Sequence, residues 1–84
     1  MGRMNVTVRL FANLHEIVGE REIQIELADG GTIGDVCERV AELYPRVREF
    51  LPVLVCAIDE DYASSDRVVS DGDSVALIPP VSGG

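Results

Sequence analysis

Apolar residues take every second position in Asn5-Val6-Thr7-Val8-Arg9-Leu10, so Val6, Val8 and Leu10 share one face of a predicted half-buried strand. Glu22-Ile23-Gln24-Ile25-Glu26-Leu27 repeats the alternation and turns Ile23, Ile25 and Leu27 inward. Between these runs the period lengthens. Leu14, Ile17 and Val18 fall at i, i+3 and i+4, Asn13 is available as a cap and Gly19 as a stop, which predicts one helical turn within a loop. Asp29-Gly30-Gly31 then ends the second strand with residues that tolerate positive φ.

Thr32-Ile33-Gly34-Asp35 opens the one long predicted helix. Thr32 is a good N-cap, and Asp35 three residues on forms a shortened capping box that also complements the helix dipole. Ile33, Val36, Cys37, Val40, Ala41 and Tyr44 mark one face, with Glu38, Arg39 and Glu42 on the other. Asp35 with Arg39 and Glu42 with Arg46 are spaced as i, i+4 ion pairs, each worth only a few tenths of a kcal/mol. Pro45 biases Tyr44 away from helix and ends the element, while Val47, Phe50 and Leu51 predict a further short turn.

After Pro52 the run Val53 to Ile58 is apolar throughout. It reads as a strand covered on both faces, or covered on one and used at an interface. Asp59-Glu60-Asp61 is an acidic turn, followed by a weak strand near Tyr62-Ala63 and a short Arg67-Val68-Val69 stretch. Asp71-Gly72-Asp73 signals another turn, Ser74 to Ile78 is the last strand, and Pro79-Pro80 terminates it because neither proline can donate to a ladder. The order β-β-α-β-(β)-β predicts an α+β two-layer domain, one helix on one sheet face.

Composition narrows the range of functions. The chain has 84 residues, which supports one domain with a thin core. Fifteen acidic against seven basic side chains give a net charge of −8, and every basic residue is arginine. That balance argues against nucleic acid, whose phosphates require clustered Lys and Arg, and predicts basic docking partners. No apolar run approaches the roughly 18 residues of a membrane span, and no signal-peptide pattern precedes Leu10, so a cytoplasmic protein is expected. Cys37 and Cys56 both sit in apolar segments and read as buried, reduced thiols.

Conventional catalytic groupings are missing. His15 is the sole histidine and reads as an exposed loop residue, with no nucleophile patterned beside it. Asp59, Glu60 and Asp61 lack the loop length of a calcium site, Gly30-Gly31 lacks a dinucleotide fingerprint, and no metal site is expected. What remains is Val81-Ser82-Gly83-Gly84 after Pro79-Pro80. The prolines project the segment away from the sheet, and two residues without Cβ leave the final carbonyl open on every side. Such an end can thread a narrow channel and present a carboxylate for activation as an acyl-adenylate.

The run Asp71-Gly72-Asp73-Ser74-Val75-Ala76-Leu77-Ile78-Pro79-Pro80-Val81-Ser82-Gly83-Gly84 resembles the C-terminal signature of MoaD-like and ThiS-like sulfur carriers. Val8-Arg9-Leu10-Phe11-Ala12 with Leu14, and the helix start Thr32-Ile33-Gly34-Asp35, extend the resemblance over nearly the whole chain; Asp59 departs from an Asn common in these proteins. The resemblance implies a β-grasp, ubiquitin-like fold: four to five strands in a mixed sheet on one main helix, spanning 1–80, with a flexible Gly-Gly tail at 81–84. It also implies that Gly84 is adenylated with ATP by an E1-like enzyme of the MoeB/ThiF type and takes sulfur as a thiocarboxylate from a sulfur donor. The tail, Pro79 to Gly83 leading to Gly84, would enter a MoaE-like large subunit in a heterotetramer. There it would supply the dithiolene sulfur of molybdopterin from cyclic pyranopterin monophosphate. On this reading the chain is no enzyme by itself and binds no cofactor.

Two other readings stay open. Archaeal small modifier proteins, which are similar, join the same terminus to protein lysines, and thiamine-type or tRNA-thiolation carriers share the chemistry. A plain ubiquitin-like binding module would use its sheet face with a passive tail. For any docking role, alternation nominates Phe11, Leu54, Ala76 and Ile78 on the sheet face opposite the helix, with Pro79 and Pro80 at its edge.

Overall fold

The computed structural model describes residues 2–80. Strand β1 (Arg3–Leu10) runs antiparallel to β2 (Glu22–Ala28), with Val8 opposite Ile23 and Val6 opposite Ile25. The two alternating runs therefore place their apolar side chains on one common face. Between the strands, α1 (Asn13–Val18) is a single six-residue helix that fully buries Leu14 and closes on Gly19 at φ +86°. Asn13 is not its cap. It is the first helical residue, the cap position is Ala12 at φ +51°, and no side chain caps the helix.

Helix α2 (Ile33–Leu43) carries the predicted capping box: the Asp35 N–H donates to Thr32 Oγ1 (3.3 Å) and the Thr32 N–H to Asp35 Oδ2 (2.9 Å). Its buried face is Ile33, Val36, Val40 and Ala41, packed over β1 and β2. Two predicted ion pairs do not form. Asp35 is turned back into the capping box, so Arg39 pairs with Glu42 (3.6 Å); Arg46 lies beyond the helix end. The turn expected at Val47 to Leu51 is a longer 3₁₀ segment, Pro45–Val53, which buries Val47 and holds Pro52 within it. Because Pro45 has no N–H, α2 cannot run on, and the tighter turns of this segment satisfy the backbone instead.

The remaining strands are β3 (Val55–Ile58), β4 (Asp61–Ala63) and β5 (Ser74–Ile78). The sheet order is β2-β1-β5-β3-β4. Last in the chain, β5 sits in the centre: parallel to β1, with Val75 beside Val8, and antiparallel to β3, with Leu77 opposite Cys56. Val75 and Leu77 are wholly buried beneath α2's side of the sheet. Strand β3 starts at Val55 rather than Val53, which the 3₁₀ segment takes. This mixed five-stranded sheet with its long helix on one face is the β-grasp arrangement of ubiquitin-like domains.

Candidate functional site

The structure brings two features together at one end of the sheet: an apolar outer face and the exit of β5. Each follows from register. On β5 the side chains of Val75 and Leu77 point to the core, so Ser74, Ala76 and Ile78 point to the opposite face. Pairing extends that face sideways, Ile78 to Val55, Ala76 to Ala57, and Ala57 to Tyr62 of β4. On β1 the neighbour is Arg9, whose guanidinium stands 5.4 Å from the centre of the Phe11 ring, a cation–π contact that orients the ring at the rim. Arg9, Phe11, Ala57, Tyr62, Ala76 and Ile78, together with Ser74, Asp59 and Glu60, line a shallow depression of about 410 Å³.

The outer face is divided. Over β1 and β2 it is polar, with Gln24 donating to Thr7 Oγ1 (2.8 Å) and Arg3 near Glu26 (3.8 Å). Over β5, β3 and β4 it is apolar, and Phe11, Val55 and Tyr62 are exposed there.

Three of the four nominated docking residues, Phe11, Ala76 and Ile78, meet on this face. Leu54 does not. It shares parity with Cys56 and Ile58, packs against the core on the helix side, and leaves its nominated place to Val55. Val55, Ala57, Tyr62 and Arg9 are the members that sequence reasoning missed. The available signal was parity: once Cys56 and Ile58 go inward, Val55 and Ala57 must go outward.

The exit of β5 lies against the end of β1. The Phe11 N–H donates to the Leu77 carbonyl (3.4 Å), and Pro79 is buried while Pro80 is exposed. The chain thus leaves the sheet beside the apolar face, where two prolines end its hydrogen bonding. Val81, Ser82, Gly83 and Gly84, the nominated tail residues, lie outside the described residues.

Other candidates place differently. His15 sits on α1 and is half-buried rather than loop-exposed. Asp59 and Glu60 form the two-residue connection between β3 and β4, both at positive φ. Among the described residues no group of three or more His, Cys, Asp or Glu side chains is placed to hold a metal ion. Both cysteines are free, as expected, with Cys56 buried and Cys37 half-buried, and their sulfurs lie 3.7 Å apart.

The ThiS family profile matches residues 8–84, which includes β5 and the Gly-Gly segment. The chain belongs to the ThiS family. Within it, a molybdopterin synthase sulfur carrier subunit from Dictyostelium discoideum is 34% identical over 80 residues, 92% of this chain and 93% of the relative. The crystal structure of small archaeal modifier protein 1 from Haloferax volcanii superposes with a TM-score of 0.85 at 27% identity, covering 95% of this chain and 99% of that one. A complex of subunits 1 and 2 of the molybdopterin-converting factor from Helicobacter pylori matches with a TM-score of 0.67 at 24% identity, over 96% of this chain and 100% of that one, and shares the fold. The family and the ubiquitin-like fold implied by the tail signature are therefore those of this ThiS-family chain.

Proposed function

We propose that this chain is a sulfur carrier, the small subunit of a molybdopterin synthase, with Gly84 as the sulfur-bearing residue. The observation that carries the reading is the likeness to a sulfur carrier subunit over 92% of this chain, together with a family match that runs through the Gly-Gly segment. The chain is the cargo vehicle and has no catalytic activity of its own. An E1-like adenylating partner supplies ATP: the Gly84 carboxylate attacks the α-phosphorus and pyrophosphate leaves. A donor persulfide then adds to the acyl carbon and AMP leaves, and a second thiolate attacks the donor's sulfur in the resulting acyl disulfide, so that the thiocarboxylate leaves and a donor disulfide forms. A bare carboxylate is a poor electrophile, and adenylation supplies the leaving group.

The body's part is positional. The apolar outer face beside β5 is the proposed seat of a MoaE-like large subunit, with Pro79 and Pro80 following β5 at its edge. The net charge of −8 steers the carrier toward basic surfaces on its partners. Intact mass after incubation with an E1-like enzyme, ATP and a sulfur source tests the proposal. The expected gain is one oxygen replaced by sulfur at Gly84; an unchanged mass overturns it.

The likeness to small archaeal modifier protein 1 favours one second reading, attachment of Gly84 to protein lysines. With no lysine, this chain has no side-chain amine on which copies of itself could be joined. A tagged copy expressed in cells would give a ladder of conjugates under this reading, and a single free band counts against it.

A further inference from the structure

Cys37 and Cys56 belong to different layers, one on α2 and the other on β3, yet their sulfurs meet at 3.7 Å. Both line a cleft of about 610 Å³ bounded by α2, the end of the 3₁₀ segment and β4, which gives a small reagent a way in. We propose that these two thiols form a reversible dithiol–disulfide clasp that ties α2 to β3. An S–S bond of about 2.04 Å requires the sulfurs to approach by roughly 1.7 Å, less than a sulfur sweeps between neighbouring χ1 rotamers. The pair is already arranged to react. Either sulfur can donate in this contact, which lowers the Cys56 pKa and, together with burial and the nearby Glu38, pushes Cys37 up.

The oxidant is a low-molecular-weight disulfide. One cysteine gives up its proton and its thiolate attacks one of those sulfurs, the external S–S bond breaks, and one external thiolate leaves with a mixed disulfide left on the protein. The second cysteine then loses its proton and attacks the protein sulfur of that mixed disulfide, expelling the other external thiolate. Two protein thiols are oxidised, one external disulfide is reduced to two thiols, and the two protons go to those thiols. The bond closes a loop from Cys37 to Cys56 that contains the whole 3₁₀ segment, whose Phe50 and Leu51 are only partly buried. Restricting this loop in the unfolded chain raises the melting temperature by on the order of 10 °C. Gly84 lies outside the loop, so failure of the clasp leaves the carrier proposal standing.

The test equilibrates the full chain with reduced and oxidised glutathione, alkylates free thiols with iodoacetamide, and reads intact mass and melting temperature. The expected product is a monomer lighter by two hydrogens, without alkylation, and melting on the order of 10 °C above the reduced form. Cys37→Ser treated in the same way keeps one alkylated thiol or one glutathione and gains no thermal stability. Two alkylated thiols, glutathione adducts or a covalent dimer of the unsubstituted chain would overturn the proposal, and this arm needs no variant to fold.

Discussion

The turn between β3 and β4 holds a strain that one substitution should release. Ile58 pairs with Asp61, leaving Asp59 and Glu60 as a two-residue loop with φ of +50° and +70°. Two successive positive φ values are the type I′ geometry, whose twist matches the flanking strands and whose preferred residues are Asn or Asp followed by Gly. Asp59 fits the first position. Glu60 does not, because its Cβ crowds the following carbonyl at a penalty of about 1–2 kcal/mol. Glu60→Gly removes that penalty but enlarges the unfolded ensemble, which takes back roughly 0.5–1 kcal/mol. The expected net gain is about 0.5–1 kcal/mol, or roughly 2–8 °C in melting temperature for a domain of this size. Differential scanning calorimetry at fixed pH and salt measures it. Glu60 also sits between Asp59 and Asp61, so charge repulsion is a competing explanation. Glu60→Gln removes the charge and keeps the Cβ, and on the strain argument it should recover under half of the glycine effect. An equal gain from both variants, or a lower melting temperature for Glu60→Gly, would refute the reasoning.

Thr32→Ala removes one half of the α2 capping box and should cost about 1 kcal/mol in a urea titration, with the urea slope unchanged. Leu14→Ala empties a wholly buried site where α1 meets the core, and should lower unfolding stability by about 2–5 kcal/mol by the same measurement. Ile78→Asp places a carboxylate on the apolar outer face next to Val55. Circular dichroism should report a folded protein, whereas calorimetric titration with a MoaE-like subunit should show binding weakened at least tenfold, the loss of about 1.4 kcal/mol or more. Unfolding of this variant would instead assign Ile78 to the core.

The strands with strict alternation and the capped helix were legible because a single period and a capping pair specify them locally. Met4, Val6, Val8 and Leu10 are all buried, and Thr32 and Asp35 bond as their spacing implied. The Val53 to Ile58 run was harder: where every residue is apolar, parity cannot be read from hydrophobicity, and Leu54 went to the wrong face. The ion pair from Asp35 failed because its Oδ2 accepts from the Thr32 backbone N–H in the capping box, while the exposed Arg39 pairs with Glu42.

What the chain determined by itself was therefore local: the alternating runs, the helix with its cap, the turns at Gly30 and Gly72, the acidic charge and the tail signature that pointed to its family. Tertiary structure decided which elements became neighbours. It placed β5 between β1 and β3, so that residues from β3, β4 and β5 and Phe11 gathered into one apolar face, and it brought Cys37 to Cys56 across two layers. Neither juxtaposition has a local signal, because both arise from burying the helix stripe and the inward strand faces in one core. That burial sets the strand order, and the strand order sets what the outer face presents.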